Sequence, residues 1–423
     1  AGTHASEFPS KFKVFPDVLE ELGYKVGYTQ KGWGPGNWKI SGRSRNPAGE
    51  VYNSETLTPP TSGIKGNDYS ANFRKFMDER ENNQPFYFWF GASEPHRVFE
   101  KGSGLKAGND PDKVIVPGFL PDTPEIRSDL LDYALEIEWY DQHLGKMLDL
   151  LEKNGELDNT LIIVTADNGM AFPSAKANVV EYGVHVPLAI RWGNLIEKSQ
   201  IREDLVSLID IAPTILEAVG KKSETSLMEG RSLIGSMSGS KDAPIREEVF
   251  TARERHSSSR WNNLTYPQRG LRTEKFLYVR NFKPERWPAG APQKFEKDGS
   301  LGPMHGAYTD IDACPTFDFM VENRDVPEFK KYFEWAVGRQ PGEQFFDVAT
   351  DPFCLKNLAD DPNYGEELLA HRKKMGAYLM ATEDPRVTGK GDIYETYVRF
   401  SSLRQFPEPD WLFEKSDTLL LTK

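Results

Sequence analysis

Cysteine is scarce in this 423-residue chain: Cys314 and Cys354 are the only two. They are too few for a disulfide framework, and with no C-x-x-C spacing they offer no zinc or redox motif; one bridge and two free thiols are both compatible with the sequence. Long apolar runs are also missing. A spanning helix needs about 20 consecutive apolar residues, whereas the longest runs here, 161–164 and 186–190, are strand-sized. Basic runs are absent as well: 52 Lys plus Arg stand against 64 Asp plus Glu, a net charge of −12, which argues against nucleic acid as the main partner. No repeat of 20–50 residues recurs, so solenoids and propellers are set aside. Residues 1–10 lack the basic and apolar regions of a secretory signal. What the chain does have is 38% hydrophobic and 12% aromatic residues spread along its length, enough to bury sizeable cores and to exclude global disorder.

The hydrophobic pattern alternates helix and strand. Segment 14–22 reads as a short helix closed by Gly23, and 25–29 as the strand after it. Segment 69–81 has helical spacing, and 85–90 (PFYFWF) is a continuous apolar run of the kind buried on both faces of a sheet. Thr123, Pro124 and Glu125 open a long helix, with Thr as cap, that runs to Lys153 and is stopped by Asn154 and Gly155. Then 160–166 (TLIIVTA) reads as a parallel strand, 186–192 as another strand and 204–219 as a helix. The expectation is an α/β fold with a large mixed, mostly parallel sheet flanked by helices. After residue 260 the pattern changes: 271–280 and 344–348 look like antiparallel strands and 365–381 like an amphipathic helix. Two domains are expected, 1–260 and a smaller α+β domain at 261–423, the latter carrying a long irregular insertion at 282–342.

In open α/β sheets, ligands sit beyond the carboxyl ends of the strands. Three strand ends carry reactive residues: Lys31 before a glycine-rich stretch, Glu94-Pro95-His96-Arg97, and Asp167-Asn168-Gly169 with Lys176 nine residues beyond Asp167. A carboxylate and an amide oxygen suit a hard divalent cation; two lysines and a histidine can hold an anion. Alone, each residue is more often a turn or a solvated charge, but together they outline an oxyanion-transfer site. His143 and His371 lie within helices as packing or surface residues, and His185 precedes a strand as a positioning residue. Asn263-Leu264-Thr265 is a glycosylation sequon.

The ordered set of segments 160–176 (TLIIVTADNGMAFPSAK), 94–97 (EPHR) and 30–35 (QKGWGP) resembles the formylglycine-dependent sulfatases of the alkaline phosphatase superfamily, and within them most the heparan N-sulfatase branch. Segments 265–269 (TYPQR), 345–352 (FFDVATDP) and 357–359 (NLA) extend the likeness over nearly the whole chain. The resemblance implies an alkaline-phosphatase-like fold and hydrolysis of a sulfate ester or sulfamate on a sulfated sugar derived from a glycosaminoglycan. It further implies that Asp167 and Asn168 ligate Ca²⁺, that Lys31 and Lys176 bind sulfate oxygens, and that His96 is the general acid. Arg97, His256, Tyr266 and Arg269 are candidates for sugar or carboxylate contacts. A periplasmic, secreted or lysosomal setting and a sulfated saccharide partner follow from the same likeness.

Two departures accompany it. Trp33 stands where the family's Lys-x-His motif has histidine, and neither the Cys/Ser-x-Pro-Ser-Arg motif that carries formylglycine nor the Asp-Asp metal pair that the family has near its N-terminus is present. Glu7-Phe8-Pro9-Ser10-Lys11 and Cys314-Pro315-Thr316 do not substitute for it. The expectation is that the nucleophile segment, a first strand and half of the calcium site lie upstream of Ala1, leaving the 423 residues without turnover. The alternatives are a phosphate mono- or diesterase of the same superfamily and an inactive, sulfatase-like glycan-binding remnant.

Overall fold

The computed structural model describes residues 4–412, apart from 35, 194, 197–198, 227 and 241–245. Pro35, in the glycine-rich stretch after Lys31, thus lies outside the described residues. Helix α1 (Phe15–Glu21) leads into β1 (Lys25–Gln30), then come β2 (Glu50–Val51), α2 (Tyr69–Asp78), β3 (Phe86–Gly91) and the short α3 (Ser103–Lys106). Both β2 and β3 pair with β1 in parallel, so β1 is the central strand and Val26 through Thr29 are all buried. Along β3, Phe86, Phe88 and Phe90 pack with Phe73 and Phe76 of α2, while Tyr87 meets Phe15 of α1 edge-on. The expectation that β3 is buried on both faces fails at Trp89, which is 44% exposed. Its strand pairs only with β1 among the described residues, and an edge strand is not fully covered.

Helix α4 (Pro124–Lys153) runs 30 residues, about 45 Å at 1.5 Å per residue. Thr123 occupies its N-cap position but makes no capping bond, contrary to the sequence reading. Three carboxylates at helical spacing, Asp129, Asp132 and Glu136, lie on its buried face. Asp132 accepts the backbone N–H groups of Gly102 and Gly104. Glu136 is 2% exposed, and neither carboxylate oxygen has a hydrogen-bond partner among the described residues. Burial, reinforced by the nearby Glu94, raises its pKa from 4.5 to about 8. His143 is fully buried against Tyr69 and Trp139, as a packing residue.

After α4, β4 (Ile162–Thr165), α5 (Glu181–Val184) and β5 (Leu188–Arg191) follow. Contrary to expectation, β4 pairs antiparallel, with β5, and its four residues are only half-buried. The apolar run encodes a strand but not its partner's direction. Only Ile211–Ala218 (α6) of the expected 204–219 helix is α-helical, entered through a 3₁₀ turn at Leu208–Asp210.

Beyond α7 (Ile234–Met237), strands β6 (Glu248–Arg253), β7 (Gln268–Thr273), β8 (Phe276–Asn281) and β9 (Glu343–Asp347) form one antiparallel sheet in the order β6-β7-β8-β9. The expected 271–280 strand is therefore a hairpin. β8 alternates: Phe276 and Tyr278 join Met375 and Leu379 of α10 (Gly365–Ala381), while Leu277 and Val279 pack on Val179, just beyond Lys176. The 282–342 insertion is not irregular throughout. It carries α8 (Pro315–Glu322) and α9 (Lys330–Val337), whose Phe317, Met320, Phe333 and Val337 build a core with Ile126 and Leu130 of α4 and with Phe172. Both cysteines are free, and burial pushes their thiols up to about 12. No helix among the described residues is long and apolar enough to cross a membrane.

Two outcomes follow from this packing. Leu277→Ala, at a site 1% exposed, should cost about 2–5 kcal/mol in urea unfolding, and Ile115→Ala, at a site 88% exposed, less than about 0.5 kcal/mol. Because Glu136 binds its proton more tightly folded than unfolded, its contribution is present below pH 4.5 and is lost as pH rises toward about 8. Glu136→Gln should therefore gain in melting temperature over the parent as pH increases through that window, and a pH-independent difference would contradict the assignment.

Candidate active site

The parallel strands deliver their carboxyl ends to one side, and the ladder runs on past them through Lys31 N–H to the Gly91 carbonyl at 3.0 Å. Lys31 Nζ reaches Asp167 Oδ2 at 3.2 Å, joining the end of β1 to the end of β4. Asn168 Nδ2 donates to Asp167 Oδ1 at 2.9 Å. The turn that holds them needs its glycine: a Cβ on Gly169 would sit 1.8 Å from the Tyr182 carbonyl oxygen. A second bond joins the ends of β3 and β4, with Lys176 Nζ 3.2 Å from His96 Nε2. A lysine ammonium only donates, so Nε2 accepts, and His96 Nδ1–H then donates to the Arg97 carbonyl at 2.7 Å. These bonds select the Nδ1–H tautomer.

Lys176 is also held from a direction the sequence reading missed. Asp312, in the insertion, accepts from its ammonium at 2.6 Å. Two residues earlier, fully buried Asp310 accepts from Arg253, Arg260, Ser257 and Ser259. Burial opposes its charge, but Arg260 and Arg253 outweigh burial and hold its carboxyl well below the usual range. The available signal was an Asp-x-Asp pair just before a proline-initiated helix. His256 is near this knot; burial lowers its pKa to about 4, with Arg253 and Lys176 acting in the same direction.

Other candidates are committed to the interior. Arg97 forms a bidentate pair with Asp129 at 2.7 and 2.9 Å, donates Nε–H to the Ala171 carbonyl and lies 4.3 Å from the rings of both Phe99 and Phe172. Tyr266 is fully buried, with its hydroxyl accepting from Asn281. Arg269 bridges Glu254 and Asp384. The polar atoms of these three residues are engaged within the protein. Thr265 of the sequon is likewise buried, bonded to Glu395. His185 pairs with Glu181 at 2.8 Å.

Asp167 and Asn168 lie side by side in the turn after β4. Both offer oxygens, the donor type calcium prefers, and Lys31 already places a cation on Asp167. They fit in kind and supply part of a shell; among the described residues no group of three or more His, Cys, Asp or Glu side chains could hold a metal ion.

The family model described as Sulfatase matches residues 2–221, and the one described as N-sulphoglucosamine sulphohydrolase, C-terminal, matches 175–289. The chain is 27% identical over 304 residues to an ulvan-active sulfatase of Formosa agariphila, covering 70% of this chain and 46% of that protein. It is 27% identical over 428 residues to human N-sulphoglucosamine sulphohydrolase, covering 93% of this chain and 78% of the relative. The chain thus spans about half the length of the first of these relatives. A structure from a study of glycosaminoglycan metabolism by Bacteroides thetaiotaomicron superposes with a TM-score of 0.61 at 14% identity, over 92% of this chain and 82% of that one. The first family model takes in all three strand ends that carry Lys31, His96, Asp167 and Lys176, and on that match the chain belongs to the sulfatase family.

Proposed function

We propose that the protein is a hydrolase that cleaves a sulfate ester or sulfamate from a sulfated sugar derived from a glycosaminoglycan, in a periplasmic, secreted or lysosomal setting. The observation that carries this is a pair of bonds beyond the strand ends, Lys31–Asp167 and Lys176–His96, each at 3.2 Å. Two ammonium groups neutralise sulfate oxygens as negative charge develops on them. Asp312 fixes Lys176 while Asp167 fixes Lys31, so neither side chain has to be ordered when the anion arrives. His96 Nε2 accepts from Lys176, so it first takes up a proton there, and the resulting imidazolium then hands that proton to the departing sugar oxygen or nitrogen while Nδ1–H stays on the Arg97 carbonyl. In this reading Asp167 and Asn168 contribute to a Ca²⁺ shell; the cation would polarise the sulfate, and formylglycine, as in the family, would supply the nucleophile. Arg97 and Arg269 orient the wall, with Tyr266, and His256 borders the sugar.

Sulfate release by protein produced from its complete reading frame, with formylglycine installed, tests the proposal. Lys176→Ala and His96→Ala should each lower kcat/KM by about 10²–10⁴ with nearly unchanged melting temperature. Arg97→Ala should instead cost about 3–5 kcal/mol of stability, because it leaves Asp129 buried and unpaired. Undiminished turnover in both Lys176→Ala and His96→Ala would remove the proposed site.

A further inference from the structure

His96 belongs to a strap, 94–104, that leaves β3 and is tied to the buried face of α4. Two of the three carboxylates on that face moor it: Asp129 takes the Arg97 guanidinium, and Asp132 takes the backbone N–H groups of Gly102 and Gly104. The third, Glu136, lies one turn beyond Asp132 and moors nothing. It is 2% exposed, and neither oxygen has a hydrogen-bond partner among the described residues. Buried polar groups are nearly always bonded, so stability does not account for this one.

The strap and the segment 61–65 close over the Glu136 carboxyl. A Cβ on Gly63 would come within 2.8 Å of Glu136 Oε1, 2.9 Å of Glu100 N and 3.0 Å of Phe99 Cα, so only glycine lets the three approach. Segment 61–65 is in turn pinned to the strap, where Ser62 N–H donates to Glu100 Oε2 and Lys65 N–H to Glu94 Oε1, each at 2.8 Å. Glu94 Oε2 accepts from the buried Tyr69 hydroxyl of α2 at 2.6 Å, so both its oxygens are engaged. The outer face of the strap is open: Val98 is 72% exposed, and Lys101 is exposed as well.

The charged groups acting on Glu136 are Glu94 and Arg97 from the strap, Lys65 from the covering segment and Asp132 from its own helix. Glu100 turns its carboxylate away, to Ser62 and Lys106. Burial and then Glu94 favour the neutral acid and raise its pKa to about 8, Arg97 and Lys65 oppose them, and Asp132 adds to the rise. Losing the proton places an anion beside Glu94 with no bond to receive it. Of the two cations that reach it, Arg97 is already committed to Asp129 and Lys65 is exposed to solvent. Glu94 and Arg97 are the residues two before and one after His96. Repulsion of the first and attraction of the second therefore act on the histidine from both sides.

We propose that Glu136 is a positioning residue for His96: as a neutral acid it leaves the strap seated on α4 with His96 against Lys176, and as a carboxylate it unseats the strap and parts that pair. The inference rests on the reading of His96 and Lys176 given above. Its sign is fixed: the seated form holds at lower pH and is lost as pH rises through about 8.

Hydrogen exchange and titration calorimetry on the 423-residue chain, from about pH 6.5 to about pH 9.5, test it together. Exchange is read in peptides covering 61–65 and 93–104 and corrected for the intrinsic rate; the calorimetric probe is inorganic sulfate, whose charge is constant over this range. Corrected exchange in both segments should rise about tenfold between pH 7 and pH 9 while peptides of the β6–β9 sheet do not follow. Glu136→Gln, which cannot ionise, should show no rise. The parent should bind sulfate about tenfold more weakly than Glu136→Gln at pH 9 and equally well at pH 7. Exchange in the strap that is the same at pH 7 and pH 9, or a rise that persists in Glu136→Gln, overturns the proposal; the first result is read on the parent alone and holds even if the variant does not fold. A rise confined to the parent, with the same sulfate affinity profile in both proteins, overturns the link to His96 and leaves the sulfate site in place. A rise confined to the parent, with sulfate bound by neither protein at any pH, supports Glu136 as the control of the strap and removes the sulfate reading.

Discussion

The buried pair of Arg97 with Asp129 is the constraint on which the site depends. Side chains of 2% and 1% exposure carry full opposite charges away from water, a state that persists only when the hydrogen bonds around it are complete. They are complete because distant segments meet there. Asp129 comes from α4 and also accepts from the Thr316 hydroxyl of α8 at 2.6 Å; Arg97 follows β3 and donates to Ala171, ahead of Lys176. One ion pair therefore fixes the residue after His96, the loop that carries Lys176, and the insertion that supplies Asp312. A hydrophobic pair of equal volume could be as stable, but it would not set the direction of the chain at each of these points.

Lys31, His96, Asp167 and Lys176 stood out in the sequence because each lies in a segment that follows the carboxyl end of a strand; the Lys31–Asp167 and Lys176–His96 bonds join such segments across two separate sheets, β2-β1-β3 and β4-β5. Arg97 looked like a substrate contact for the same local reason, since nothing near it in sequence reveals that Asp129 will consume its donors. Tyr266 and Arg269 share that fate: their partners Asn281, Glu254 and Asp384 come from other elements. Asp312 was hidden most deeply. It meets Lys176 across 136 positions, from a stretch whose proline, glycine and charge read as loop, although its helices pack on α4. Strand existence was readable from apolar runs, whereas pairing direction at β4 and exposure at Trp89 depend on which strand lies alongside, a tertiary fact.

Electrostatics ties fold to chemistry. The chain is acidic overall, yet its strand ends gather lysines and a histidine, each lysine beside a carboxylate that keeps it oriented. In the proposed function, an anion reaching Lys176 meets a side chain already held by Asp312, which leaves less reorganisation for the reaction.

The most direct measurement is the position of a tetrahedral oxyanion in a crystal of the protein soaked in tungstate, a heavy-atom analogue of sulfate. The account places it within hydrogen-bond reach of Lys31, His96 and Lys176, with the Arg97–Asp129 pair intact beneath. A tungstate held instead by Arg97 or Arg269, with Lys176 still closed on Asp312 and no anion beside His96, would contradict it.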